Sequence, residues 1–249
     1  IGTATSEGQA VALTRKRSTF GRDGLNLAAL KDLTEGDADT PEAFWSSANK
    51  FGFTFNWGYL SRSNVAYFAS GLLPKRAAGL DRRLPTLGTG EYEWQGFLDE
   101  RDHPHAASGP SGLLLNWNNQ SAPGFMHGDG NYYGSVHRVE LFDGISDPVD
   151  LAGLVGVMNR AATADTRAPV WPLISEVLAG GDAPTPLAGQ VVATLDSWAE
   201  DGAPRLDADD DGLHDHPGPA IMDELWEPLV RAALEPVIGN MLNALDDVS

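Results

Sequence analysis

The sequence predicts an α+β fold, strand-rich over residues 1–145 and helical over residues 146–249. Three observations predict it. In "FTFNWGYL" and "VAYFAS" large apolar residues alternate with small or polar ones, the period of a half-buried strand. Beyond residue 145 apolar residues recur three and four apart, the period of a helix. Between these regions lies no flexible linker, and the chain holds no internal repeat or low-complexity tract.

Taken in order, Val11, Leu13 and Arg15 alternate with Ala12 and Thr14 and predict a strand. A short helix is expected over 25–33. Thr40-Pro41-Glu42 then begins another: a hydroxyl cap, a proline at the first position and an early acid. That helix carries Phe44, Trp45 and Ala48 and should end near Gly52. Phe53, Phe55, Trp57 and Tyr59 share one face of the next strand, with Thr54, Asn56 and Gly58 on the other. A turn at 61–64 and a return strand at 65–70 complete a hairpin. Residues 71–112 are Gly- and Pro-rich and aperiodic, a length of irregular chain that usually serves function. "LLLNWNN" (113–119) and "VHRVELF" (136–142) are the next expected strands. Asp150 begins a helix bearing Leu151, Leu154, Val155 and Met158. Further helices are expected over 171–178, along Leu187, Val191, Leu195 and Trp198, and from Pro219 onward.

Composition narrows the function. At 249 residues and 42% hydrophobic, the chain can bury a substantial core. Its 17 Lys and Arg against 35 Asp and Glu leave a net charge of −18, which repels phosphate backbones and argues against nucleic acid as a partner. Without cysteine there is no disulfide, thiolate metal site or Cys nucleophile. No apolar run approaches the ~20 residues that span a bilayer, and no secretory signal is visible. The chain opens mid-pattern at Ile1 without an initiator Met, so a processed or excised piece of a longer protein is expected.

Three asparagines crowd the second half of "LLLNWNNQSAPG", although Asn is depleted in strands. Strand alternation would send Leu113, Leu115 and Trp117 to one side and Leu114, Asn116 and Asn118 to the other. Such amides can tie a loop to its strand, or hold an N–H donor towards a developing oxyanion. Period alone leaves both open.

"FTFNWGY", "VAYFASGLLPKRAAGLDRRLPTLGTGEYEWQGF", "HPHAASGPSGLLLNWNNQSAPGF" and "YGSVHRVELF" together resemble the penicillin acylase (penicillin amidase) family of N-terminal-nucleophile hydrolases. The likeness is dense over about residues 50–145 and looser in the flanks. It implies part of a four-layer α/β/β/α sandwich in an amidase whose precursor cuts itself into two chains. A Ser at the start of the larger chain attacks the amide carbonyl, with its own α-amine, titrating near ~8, as base. On this sequence the family's side-chain oxyanion donor corresponds to Asn118. Arg138 corresponds to an arginine kept near the nucleophile, or else forms a buried ion pair between strands. Asn116 and Asn119 are read as structural, and His103, His105 and His137 as loop or packing residues. Because Ile1 stands where a nucleophile would begin the chain, the piece alone is expected to be inactive. Its partners would be the small chain and remaining large-chain segments of the same precursor, with a small-molecule amide as substrate.

Two calcium positions are expected. Residues 207–215 read D-x-D-x-D-G-x-x-D, with Asp207, Asp209, Asp211 and Asp215 as carboxylates, Leu213 as carbonyl donor and Gly212 at the sharp turn. Gly218 replaces the usual bidentate Glu, so Asp223 or Glu224 would have to substitute. The resemblance implies a second calcium held by the Arg82 carbonyl and Asp129. It also implies a secreted or periplasmic protein. The rival to an amidase is a calcium-dependent extracellular binding module without catalysis, using the acidic loop and the segment 71–112.

Overall fold

The structure, a computed structural model, describes residues 2–108, 112–127, 133, 137–142, 145, 149–239 and 241–242. The chain forms two compact units, Ile1–Gly134 and Ser135–Ser249.

The first unit opens with an antiparallel hairpin, β1 (Gly2–Ser6) and β2 (Gln9–Leu13), in register Gly2 to Leu13. The expected strand at 11–15 is therefore displaced towards the N-terminus, because Glu7 and Gly8 both take positive φ and make a tight turn. Helix α1 (Leu25–Glu35) ends on Gly36 at φ 86°. Helix α2 (Pro41–Ala48) begins as its sequence requires, with the Ala43 N–H donating to Thr40 Oγ1 at 3.2 Å and Pro41 at the first position.

Strands β3 (Asn56–Leu60), β4 (Val65–Ala69) and β5 (His105–Ala107) form an antiparallel sheet in that order. Alternation divides it into two faces. Ala66 and Phe68 on one face bury against Phe44 and Ala48 of α2, with Trp57 and Tyr59 alongside. Trp57 stacks on Phe51 at 4.1 Å and donates to Ser70 Oγ. Asn56, Gly58 and Tyr67 occupy the opposite face. One helical layer on one sheet is the arrangement expected of part of a layered α+β sandwich.

Residues 113–119 are not a strand, a correction to the expectation. Leu113 and Leu115 are exposed, and Asn118 has φ 55°. The asparagines themselves explain it: Asn116 Oδ1 accepts from the Asn118 N–H at 3.1 Å, and Asn119 Oδ1 from the Trp117 N–H at 2.9 Å. These local bonds take amide donors that a ladder would need. The expected strand at 136–142 is also corrected, since His137–Glu140 forms the short helix α3 of the second unit.

The rest of that unit carries the expected helices: α4 (Leu151–Thr163), α5 (Trp171–Ala179), α6 (Pro186–Glu200) and α7 (Gly218–Ile238). Asp150 caps α4 by accepting from the Gly153 N–H at 2.7 Å. Trp171, Leu195, Trp198, Ala203 and Met222 form the core where α5, α6 and α7 meet. Among the described residues no helix is long and apolar enough to cross a membrane.

Candidate active-site asparagine and acidic loop

The polar face of the sheet carries a connected set of amides and hydroxyls. Asn56 lies beside Tyr67 across β3 and β4. Tyr67 Oη donates to Asn56 Oδ1 and lies 2.8 Å from Ser121 Oγ, itself 3.3 Å from Asn56 Oδ1. With its oxygen so engaged, Asn56 turns its Nδ2 outward, where it donates to Asn118 Oδ1 at 3.3 Å. Each carboxamide in this relay has one oxygen and one nitrogen, so fixing the first orients the second. The Asn118 side chain is thereby left presenting Nδ2, for which no acceptor exists among the described residues. Burial pushes the Tyr67 hydroxyl above its ordinary value and keeps it protonated, the state that the relay requires.

Backbone geometry acts in the same direction. Asn118 is an exposed non-glycine residue in the left-handed region, where Asn is tolerated better than most, and Asn116 holds its N–H. A groove of about 480 Å³ runs beside it, bordered by Asn56, Tyr67, Leu114, Asn116, Asn119 and Ser121.

Sequence reasoning missed Asn56, Tyr67 and Ser121. Alternation did put Asn56 opposite the aromatic face. Its partner emerges only from the register that pairs Gly58 with Tyr67. Arg138 lies on α3 in the second unit, half-buried. His103 and His105 are packing residues: His103 is buried, with Nδ1 2.8 Å from the Ala69 carbonyl, and His105 packs on Trp45 at 4.6 Å. The His137 side chain is outside the described residues.

In the second unit the acidic loop folds on itself. Carboxylate oxygens of Asp207, Asp209 and Asp215 lie within 4.8 Å of one another. Asp207 accepts from the N–H groups of Asp211 and Gly212, Asp215 accepts from Ala208, and Gly212 takes φ 84°. Asp211 lies outside the convergence and instead accepts from the Leu213 N–H at 2.8 Å; the Leu213 side chain is exposed. Asp223 does not replace the missing twelfth-position acid. Its carboxylate is held by Arg205 at 2.8 Å and by Arg167 at 2.5 Å, both of which also bind the buried Asp165. Hydrogen bonds from Arg205 and then Arg167 keep Asp223 far below the usual carboxylate range. At the other expected calcium position, the Arg82 guanidinium donates to the His127 carbonyl, and Asp129 lies outside the described residues.

The sequence model of the penicillin amidase family matches residues 7–249. The chain belongs to the penicillin amidase family. It is 28% identical over 213 residues to the penicillin G acylase of Escherichia coli, covering 82% of this chain and 24% of that protein. It is 30% identical over 139 residues to the acyl-homoserine lactone acylase QuiP of Pseudomonas syringae pv. syringae (strain B728a), covering 55% of this chain and 16% of that relative. The thermostable penicillin G acylase of Alcaligenes faecalis superposes with a TM-score of 0.73 at 24% identity, over 92% of this chain and 41% of its own. This penicillin amidase family chain therefore matches part of an N-terminal-nucleophile hydrolase fold, and it spans about a quarter or less of the curated relatives.

Proposed function

We propose that the protein carrying this chain hydrolyses a linear amide, releasing a carboxylic acid and an amine through an acyl-enzyme on an N-terminal Ser supplied by another segment. Relatives named as acylases support the reaction class. The observation that carries the residue assignment is the orientation of Asn118, whose oxygen is occupied by Asn56 and whose Nδ2 is presented outward. A donor fixed before reaction stabilises the tetrahedral oxyanion without reorganising during the step. The family resemblance is the support for proposing that Arg138 lies near the nucleophile of the assembled protein, against the other reading of it as a buried ion pair. On this proposal the 249 residues alone turn over no phenylacetyl anilide.

Substituting Asn118→Ala in the full-length protein tests it. Removing one oxyanion donor should lower kcat by roughly 100–1000-fold, with KM little changed. Near-normal kcat in a protein that melts many degrees lower would make Asn118 scaffolding and sink the assignment.

We also propose that the acidic loop binds Ca²⁺ as a structural ion. The donor set fits a hard cation: three convergent carboxylates on a loop with a glycine turn. Asp207, Asp209 and Asp215 would hold it, and it would neutralise their mutual repulsion and pin the segment between α6 and α7. Membership of the penicillin amidase family supports reading this loop as part of an amidase rather than as the centre of a separate binding module.

A further inference from the structure

The chain carries a net charge of −18, yet one face of its first unit has the opposite sign. Two adjoining concavities of about 590 and 580 Å³ share the strap 15–18 and Trp94. Arg15, Lys16, Arg17, Arg22, Arg76 and Arg82 line them, six of the 17 basic residues in the sequence. Among the described residues Glu93 is the one carboxylate in either lining, and it pairs with Lys16 at 2.6 Å.

The cations are set on aromatic rings. Lys16 Nζ lies 4.7 Å and the Arg76 guanidinium 5.9 Å from the Trp94 ring, while Arg22 lies 4.8 Å from Phe97. Stacking holds a guanidinium flat without consuming its N–H donors. Arg17 donates to the Thr19 hydroxyl, and neither Arg17 nor Arg76 has a carboxylate partner among the described residues. Leu72, Leu84 and Leu87 supply apolar wall in the larger concavity. Its volume falls in the range that encloses a drug-sized molecule.

We propose that this face is a binding site for a small amphiphilic anion, a carboxylate or phosphate on an apolar, ring-sized body. Arg17 and Arg76 bind the anionic head, and Trp94 and the leucines bind the body. The proposal does not depend on amide hydrolysis. Its chemical warrant is local sign reversal: the two linings together hold six cations and, among the described residues, a single carboxylate that is already paired.

Titration calorimetry of the full-length protein with 4-phenylbutyrate, 4-phenylbutylamine, acetate and inorganic phosphate tests it. Phenylbutyrate should bind, more weakly as NaCl rises from 20 to 200 mM, and the amine should not. In the double variant Arg17→Gln/Arg76→Gln the affinity for phenylbutyrate should fall at least ~10-fold, the scale of lost charge-assisted bonds. An unchanged melting temperature in that variant shows that the loss is local. Equal binding of the amine, or an unaffected double variant, overturns the site. Acetate or phosphate binding as tightly as phenylbutyrate overturns the amphiphile.

Discussion

Gly218→Ala should destabilise the helical unit severely, although it adds one methyl group at the start of α7. A Cβ built on Gly218 meets Trp198 Cγ at 2.4 Å, Cδ2 at 2.6 Å and Cβ at 2.8 Å. Carbon atoms in contact sit ~3.5–4.0 Å apart, so about 1 Å of movement is required. The obstacle is the root of a side chain rather than a flexible tip. Trp198 is fully buried, packed in the core with Trp171, Leu195 and Met222, and its Nε1 donates to the Pro204 carbonyl at 3.0 Å. Over-packing by one methylene costs ~1–3 kcal/mol, and breaking that hydrogen bond adds ~1 kcal/mol. About 3 kcal/mol lowers Tm by roughly 10–20 °C for a unit of about 100 residues. Near-ultraviolet circular dichroism of the buried tryptophans against temperature provides the readout. Gly181→Ala, where a Cβ meets nothing within 4 Å, is the control. A Gly218→Ala protein melting within a degree or two of the parent would refute the packing argument.

Asp165→Asn should cost about 2–4 kcal/mol in urea unfolding, because Arg167 and Arg205 lose the buried carboxylate that binds both. Burial pushes Asp165 up, but bonds from the two arginines outweigh it and hold the carboxyl below 3.8, so this contribution is full above that value and is lost only as pH falls further. Burial lowers His103 below its ordinary 6.5. The neutral ring's contribution is thus complete above pH 6.5 and declines as acidification protonates the unfolded chain first; a His103→Asn protein should lack that slope between pH 7 and 5. Millimolar Ca²⁺ should raise Tm in the parent and not in Asp209→Ala, by mass action on the native state; no calcium-dependent shift in the parent would leave the loop a solvated turn.

Much of the architecture was legible in the sequence because local chemistry decides it. Thr40 and Asp150 begin helices by accepting first-turn amide hydrogens that the helix itself leaves unpaired, and Leu195 and Trp198 of the predicted α6 stripe are buried although Leu187 is exposed. Alternation likewise separated Asn56 from the aromatic side of β3. Pattern reasoning failed where side chains compete with the backbone: three leucines suggest a strand at 113–119, but the amides of Asn116 and Asn119 capture the loop. It failed again at α3, whose four residues are too few for either period to be distinguished.

By itself, then, the sequence determined the α+β class, the order and extent of most helices, the central hairpin, the family and the identity of Asn118 as the residue to examine. Only the tertiary structure decided which way that residue presents its amide. Asn56, Tyr67, Asn118 and Ser121 come from two strands and a distant loop, and a hydrogen-bond relay has a direction only when all its members are in place. The same holds for Asp223, near enough in sequence to serve the acidic loop but drawn instead to Arg167 and Arg205. Pairwise competition among charges is settled by distance in space, which residue spacing along the chain does not encode.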